Sequence, residues 1–267
     1  MDLRLKGQSV LITGASKGIG LAMARVFAAE GCNLHLAARS EDTLKSASQE
    51  LGREHAVSVT IHPMDLGLSA NIVELGRRCA EVDILVNNAG EIPSGPMESI
   101  SEADWRRGYD VKLFGYILLT KEIYRSMKAR GSGVIVNNIG NSGENWDANY
   151  IAGSTANAGL MAFTKALGGQ SLDFGVRVVG VNPGPVETER MVKINKRRAI
   201  DWYGDESRWT ELREKFPGGR PASAEEVADL MVFLASPRCG YVTGSIVTVD
   251  GGIAARGSVI KERSVQK

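Results

Sequence analysis

Thr13-Gly14-Ala15-Ser16-Lys17-Gly18-Ile19-Gly20 lies between an apolar run, Ser9 to Ile12, and an amphipathic segment, Leu21 to Glu30. Glycine at such a turn lets a strand bend sharply into a helix and leaves the backbone uncovered by side chains. The spacing Gly14-x3-Gly18-x-Gly20 also lets backbone N–H groups approach a pyrophosphate and points the positive end of the next helix at it. The stretch predicts a strand, a dinucleotide site and a helix in succession, with Gly14, Ser16, Lys17, Gly18, Ile19 and Gly20 at the cofactor.

Beyond that turn, strand-like and helix-like runs alternate. Strands are predicted at Asn33 to Ala38, Val57 to Pro63, Asp83 to Asn87, Gly133 to Ile139, Arg177 to Asn182 and Ser245 to Val249. Helices are predicted at Ser40 to Leu51, Ser69 to Cys79, Ser101 to Ala129, Ile151 to Leu172 and Ala224 to Ala235. Strands joined by helices of this length imply right-handed crossovers and a parallel sheet covered on both faces. The expected fold is a doubly wound, Rossmann-type α/β domain of seven parallel strands over 1–255. The long irregular stretch Thr188 to Arg220 is expected to be a lid with helices of its own, and 256–267 a solvated tail.

Composition narrows the function. The chain has 267 residues, 43% hydrophobic and 24% charged, enough for one large core. A formal net charge of +1 argues against a nucleic-acid surface, which needs clustered surplus Lys and Arg. No stretch approaches the roughly 18 apolar residues of a membrane span, and the N-terminus lacks an apolar signal core. A cytoplasmic protein is expected. Cys32, Cys79 and Cys239 are widely spaced and read as reduced, buried residues, while His35, His55 and His62 show no ligand spacing. No metal site is expected.

Further segments follow in order: Asp65-Leu66 after the third strand, NNAG at Asn87 to Gly90, Asn182-Pro183-Gly184 with Thr188, and GRPASAEEVADLMVFLASPRCGYVTGSIVTVDGG near the end. With these, the chain resembles the short-chain dehydrogenase/reductase family over essentially its whole length. The resemblance implies that Asp65 and Leu66 contact adenine and that Asn88, Ala89 and Gly90 pack beside the ribose. It also implies that Val186 and Thr188, after Pro183 and Gly184, hold the nicotinamide carboxamide. The implied activity is hydride transfer between a nicotinamide cofactor and a small-molecule carbonyl or alcohol. Family members commonly pair through the helices equivalent to Ser101 to Ala129 and Ile151 to Leu172, where Phe114, Ile117, Leu118, Leu160, Met161 and Phe163 lie on more than one face. A homodimer or homotetramer is therefore expected.

Charge decides the cofactor. A carboxylate ending the second strand would bind a free ribose 2′-OH, but Ala38 stands there, followed by Arg39 and Ser40. With Lys17 nearby, two cations and a hydroxyl favour a 2′-phosphate, so NADP(H) is expected over NAD(H). Surface pairing of these cations with Glu41 and Asp42 is the alternative.

The catalytic positions depart from the family pattern. Counting back from Pro183-Gly184 through Ala158-Gly159-Leu160, the family tyrosine falls on Gly153 and its lysine on Asn157, which stays among the cofactor-binding positions. The serine falls on Asn141, with Ser142 beside it, and the asparagine of the preceding long helix falls on Lys112. Tyr150, three residues early, is the remaining phenol. If helix runs through Tyr150, the phenol sits a turn too far back; if the helix begins at Ser154 or Thr155, Tyr150 lies in a loop over the cofactor. Lys112 would then supply positive charge, and Ser142 and Asn141 hydrogen bonds to a substrate oxygen. Alternatively Tyr150 only packs and Lys112 pairs with an acid.

The lid carries Arg190, Lys193, Lys196, Arg197 and Arg198, suited either to an anionic substrate such as a phosphate-bearing acyl thioester or to a solvated helix face. An altered oxidoreductase is the leading reading. A non-catalytic nucleotide-binding protein and a different reaction on the same scaffold are the alternatives.

Overall fold

The strands are apolar on both sides because helices cover both faces of the sheet. A computed structural model describes residues 1–256, so of the expected tail all but Arg256 lies outside the described residues. β1 (Ser9–Thr13), β2 (Asn33–Ala38), β3 (Val59–Pro63), β4 (Ile84–Asn87), β5 (Gly133–Asn138), β6 (Val176–Pro183) and β7 (Ile246–Val249) form one sheet. Its order is β3-β2-β1-β4-β5-β6-β7 and every pairing is parallel. Alternate residues of β1 feed two cores. Val10 and Ile12 pack with Phe27 and Met231 on one face, and Leu11 packs with Leu85, Leu119 and Ile135 on the other.

The chain reverses its direction of winding between β1 and β4, where a doubly wound sheet opens a crevice at its carboxyl end. α1 (Gly18–Ala29) rises straight from the glycine turn, three residues earlier than its amphipathic pattern begins. α2 (Glu41–Glu54) is capped by Ser40, whose Oγ accepts from the Thr43 N–H at 3.4 Å. α3 (Ser69–Arg78) crosses to β4. The helices expected over 101–129 are α4 (Glu102–Tyr109) and α5 (Gly115–Arg130), joined by a π-helical turn at Asp110–Phe114 that carries Lys112. Such widened turns re-aim side chains and recur at functional sites.

α6 (Ile151–Ser171) begins directly after Tyr150, at the expected Ile151, so the alternative in which the helix starts only around Ser154 or Thr155 does not hold. Tyr150 N–H bonds the Asp147 carbonyl, and the Tyr150 carbonyl accepts the first helical bond, from Ser154. The 188–220 stretch holds α7 (Glu189–Tyr203), capped by Thr188 and ended at Gly204 with φ +69°, followed by a 3₁₀ segment at Glu206–Leu212. α8 (Ala224–Ala235) starts with a capping box between Ser223 and Glu226. Among the described residues no helix is long and apolar enough to cross a membrane. Of the six residues expected on a pairing face, Leu160 and Met161 are buried in the chain's own core, and Phe114 is half exposed.

Candidate active site

Close approach explains the glycines. Gly14 and Gly18 hold φ of +65° and +55°, and a Cβ on Gly14 would stand 2.9 Å from Ala89 Cα. A Cβ on Gly20 would lie 2.6 Å from Asn88 Nδ2 and would overlap the Gly14 carbonyl oxygen. The NNAG segment is thereby pressed against the turn. Thr13 Oγ1 accepts from the Asn88 and Ala89 N–H groups at 2.9 and 3.0 Å, and Asn88 Nδ2 donates to the Thr13 carbonyl at 2.9 Å. Asn138 Nδ2 ties Asn88 Oδ1 to the end of β5 at 2.7 Å.

A cavity of about 820 Å³ opens above these strand ends, and every cofactor and catalytic candidate named from the sequence lines it. At one end Arg39 pairs with Glu91 at 3.0 Å and Lys17 with Glu189 at 3.3 Å. Their acids are therefore not Glu41 and Asp42; Glu41 pairs with Lys45 instead. Asp65 Oδ1 accepts from Gly67 N–H and from Arg107, each at 2.9 Å. Burial opposes ionisation of Asp65, but these donors outweigh it and hold its carboxyl below the usual range.

At the other end the relocated groups meet. The Tyr150 ring folds back over Gly153. A Cβ there would stand 2.5 Å from Tyr150 Cδ1 and would overlap Cε1 and Cζ, so the ring fills the space from which a side chain at 153 would grow. A short parallel bridge to Gly95 and a bond from Gly95 N–H to the Asn149 carbonyl at 2.8 Å fix this segment. Arg190 of α7 donates to Tyr150 Oη at 3.3 Å and to the Ile92 carbonyl at 2.9 Å. Tyr150 sits at the α6 N-cap, in neither of the two positions expected for it.

Lys112 has no acidic partner among the described residues. Its buried Nζ donates to the carbonyls of Asn138 and Ile139 at 2.9 and 2.8 Å, with Tyr116 Oη at 3.4 Å. Burial, reinforced by the charge of Arg190, lowers its pKa to about 7. Asn157 donates to Ser142 Oγ at 2.8 Å, which leaves the serine hydroxyl hydrogen available to the cavity. Asn141 is committed elsewhere, donating to Asp250 at 3.2 Å.

Residues the sequence did not single out complete the lining: Arg107, Asn145, Asp147 and Asn149, with Asn195 from the lid. Asn195 Nδ2 is buried without a hydrogen-bond partner. An i, i+4 pattern from Met191 through Asn195 was the available signal that one face of α7 turns inward. The lid's basic cluster is largely neutralised: Lys196 pairs with Glu206, Arg197 with Asp201 and Arg198 with Asp147.

Fold and cavity together define a doubly wound, Rossmann-type α/β protein with its cavity at the carboxyl ends of the strands. The family described as short chain dehydrogenase matches residues 8–199, and the chain belongs to the short-chain dehydrogenase/reductase family. It is 34% identical over 254 residues to galactitol 2-dehydrogenase (L-tagatose-forming) of Cereibacter sphaeroides, covering 93% of this chain and 96% of that protein. It is 32% identical over 255 residues to the 3-oxoacyl-(acyl-carrier-protein) reductase FabG of Escherichia coli K12, covering 94% and 99%. The crystal structure of L-sorbose reductase from Gluconobacter frateurii, complexed with NADPH and L-sorbose, superposes with a TM-score of 0.88 at 31% identity, covering 95% of this chain and 99% of that one.

Proposed function

We propose that the chain is an NADP(H)-dependent oxidoreductase acting on a small polyhydroxylated carbonyl or alcohol, with Tyr150 as proton donor and acceptor. The observation that carries the reading is the Tyr150 ring lying over Gly153, the position on which the family tyrosine falls by count. The glycine turn fits a dinucleotide, since it carries no side chain at Gly14, Gly18 and Gly20 and leads straight into the N-terminus of α1 at the cavity. When bound, the nicotinamide supplies or accepts the hydride.

The chain's own residues then have distinct tasks. Arg39 and Lys17 receive the 2′-phosphate in exchange for Glu91 and Glu189, a swap between exposed ion pairs of small individual worth. Ser142 donates its hydroxyl hydrogen to the substrate oxygen, and Asn157 orients Ser142. Tyr150 passes its proton to that oxygen during reduction and recovers it during oxidation. Arg190, which donates to the phenol oxygen, supplies positive charge that Asn157 lacks, and Lys112, held on the Asn138 and Ile139 carbonyls, adds to it when protonated.

Ser142, Asn145 and Asn149 offer the cavity neutral hydrogen-bonding groups that suit a substrate with several hydroxyls, beside the apolar Ile92, Met191 and Ile194. The names of galactitol dehydrogenase and sorbose reductase support the same substrate class. Pairing of Lys196, Arg197 and Arg198 with acids counts against a site for a phosphate-bearing thioester. NADPH oxidation across a panel of ketoses, sugar acids and 3-oxoacyl thioesters tests this. Turnover of a polyhydroxylated ketone that falls in Tyr150→Phe supports it. Inactivity toward the whole panel, with NADPH still bound, moves the assignment to a nucleotide-binding protein without hydride transfer.

A further inference from the structure

His35 and His62 are 27 residues apart in sequence, yet β2 and β3 bring their rings together. The parallel register sets His35 opposite Thr60 and Ala37 opposite His62, so both histidines project from the same face of the sheet, one step apart diagonally. Cys79, at the end of α3, closes the group from above that face. His35 Nδ1 lies 3.1 Å from His62 Nε2, Cys79 Sγ lies 3.6 Å from the same nitrogen, and the three atoms fall within 4.8 Å of one another. The rings stack at 5.3 Å.

These contacts do not satisfy one another. His62 Nε2 carries either a hydrogen or a lone pair, but both His35 and Cys79 are aimed at it. If it accepts, His62 Nδ1–H is left as a buried donor with no partner, and if it donates, one of the two neighbours goes unserved. A cation that takes one lone pair from each of the three atoms removes the competition at Nε2, with His62 Nδ1 keeping the ring hydrogen. Two of the three spacings already suit zinc: with Zn–N near 2.0–2.1 Å and Zn–S near 2.3 Å, tetrahedral edges come to about 3.4 Å for N–N and about 3.6 Å for N–S. The third edge closes by rotation of His35, the half-buried member of the set.

We propose that His35 Nδ1, His62 Nε2 and Cys79 Sγ form a zinc site at the β2–β3 edge of the sheet, outside the nucleotide cavity. Burial keeps both imidazoles below their usual pKa, His62 down to about 4, so their lone pairs are free at neutral pH. The Cys79 thiol, pushed by burial up to about 12, keeps its proton until a metal displaces it. Each zinc bound thus exchanges for one proton released to solvent as the S–H bond is replaced by a metal–thiolate bond. Arg78, whose charge reaches His62, is itself paired with Glu74 at 2.7 Å. β3 runs directly into Met64, Asp65 and Leu66 of the cavity wall, so the metal would brace the strand that presents them.

The test titrates Zn²⁺ into the full chain, stripped of metal, against a chromophoric chelator, with released protons followed in weak buffer. One zinc and about one proton per chain are expected, falling to none in Cys79→Ser and His62→Asn and unchanged in Cys32→Ser, which alters an equally buried thiol elsewhere. Co²⁺ added to the wild-type chain gives a second readout that needs no variant: a thiolate-to-cobalt charge-transfer band. No competition with the chelator, no such band, or the same stoichiometry in a folded Cys79→Ser overturns the proposal.

Discussion

Gly153→Ala sets two effects of opposite sign against each other. In the first turn of α6 the alanine gains up to about 1 kcal/mol of helix propensity over glycine. Its Cβ, however, would overlap the Tyr150 ring, with Cδ1 at 2.5 Å, so the ring must leave its seat. Stability should therefore change little, within about 1 kcal/mol in either direction. Turnover should not. If Tyr150 is the proton donor, moving it forfeits about 10²–10⁴ in rate, or roughly 3–5 kcal/mol of transition-state stabilisation at about 1.4 kcal/mol per decade. The assay pairs steady-state NADPH oxidation, on the best substrate of the panel, with calorimetric nucleotide affinity and a thermal melt. Loss of kcat with nucleotide binding and melting preserved is expected. In a Tyr150→Phe background Gly153→Ala should add little, because both changes remove one function. Full turnover in Gly153→Ala, or losses that simply add, would refute the placement of the acid.

Tyr150→Phe alone should lower turnover by about 10²–10⁴-fold and leave nucleotide affinity unchanged, as read by the same kinetic and calorimetric pair. Arg39→Asp should reverse the NADP(H) preference, since one charge-assisted contact is worth about 1.5–3 kcal/mol and the new carboxylate adds repulsion; tighter NADPH binding in the variant would contradict it. Lys112 titrates near 7 in the folded chain against an ordinary 10.5, so between those values the unfolded chain holds the extra proton and stability rises with pH. Lys112→Met should flatten that rise, at most about 1.4 kcal/mol per pH unit, in urea melts across that range. Light scattering at micromolar concentration should report a dimer or tetramer, and a monomer would contradict the pairing expected from α5 and α6.

The fold was legible because its signals are local and agree with one another. Apolar runs, glycine punctuation and helix patterns placed all seven strands in order, with boundaries shifted by a residue or two where caps and turns decide. The candidate positions named from the sequence were brought together for the same reason, since they cluster at strand ends, and all of them line one cavity. Three things were not legible. The π-helical turn at Asp110–Phe114 has no propensity signature and depends on how Lys112 reaches the β5 carbonyls. The ion-pair partners of Arg39 and Lys17 come from Glu91 and Glu189, 52 and 172 residues away. The pairing of His35 with His62 depends on a strand register that no spacing within the sequence encodes.

The proposed role of Tyr150 asks how a tyrosine three residues early could serve in place of one at 153. On a helix, positions i and i+3 share a face, and side chains lean toward the N-terminus. A phenol at 150 that followed that lean would point away from the cavity. Tyr150 escapes the constraint because it is the N-cap, with φ −140° and ψ 38°, and its ring is free to turn forward over the first helical turn. The turn accepts it only because residue 153 has no side chain. Glycine at 153 and tyrosine at 150 are thus one structural device, and changing either should disable both. The same economy holds for charge in the proposed enzyme: with asparagine at 157, the cations nearby come from the π-helical turn as Lys112 and from the lid as Arg190. One of these cations is fixed to backbone carbonyls and the other rides on a mobile-type element, a lid helix. In the proposed enzyme, closure of α7 over a substrate would therefore also complete the electrostatic setting of the phenol. Arg190→Gln should then lower kcat more than it raises KM. An equal or larger effect on KM would mean that Arg190 serves substrate binding and leaves the proton donor untouched.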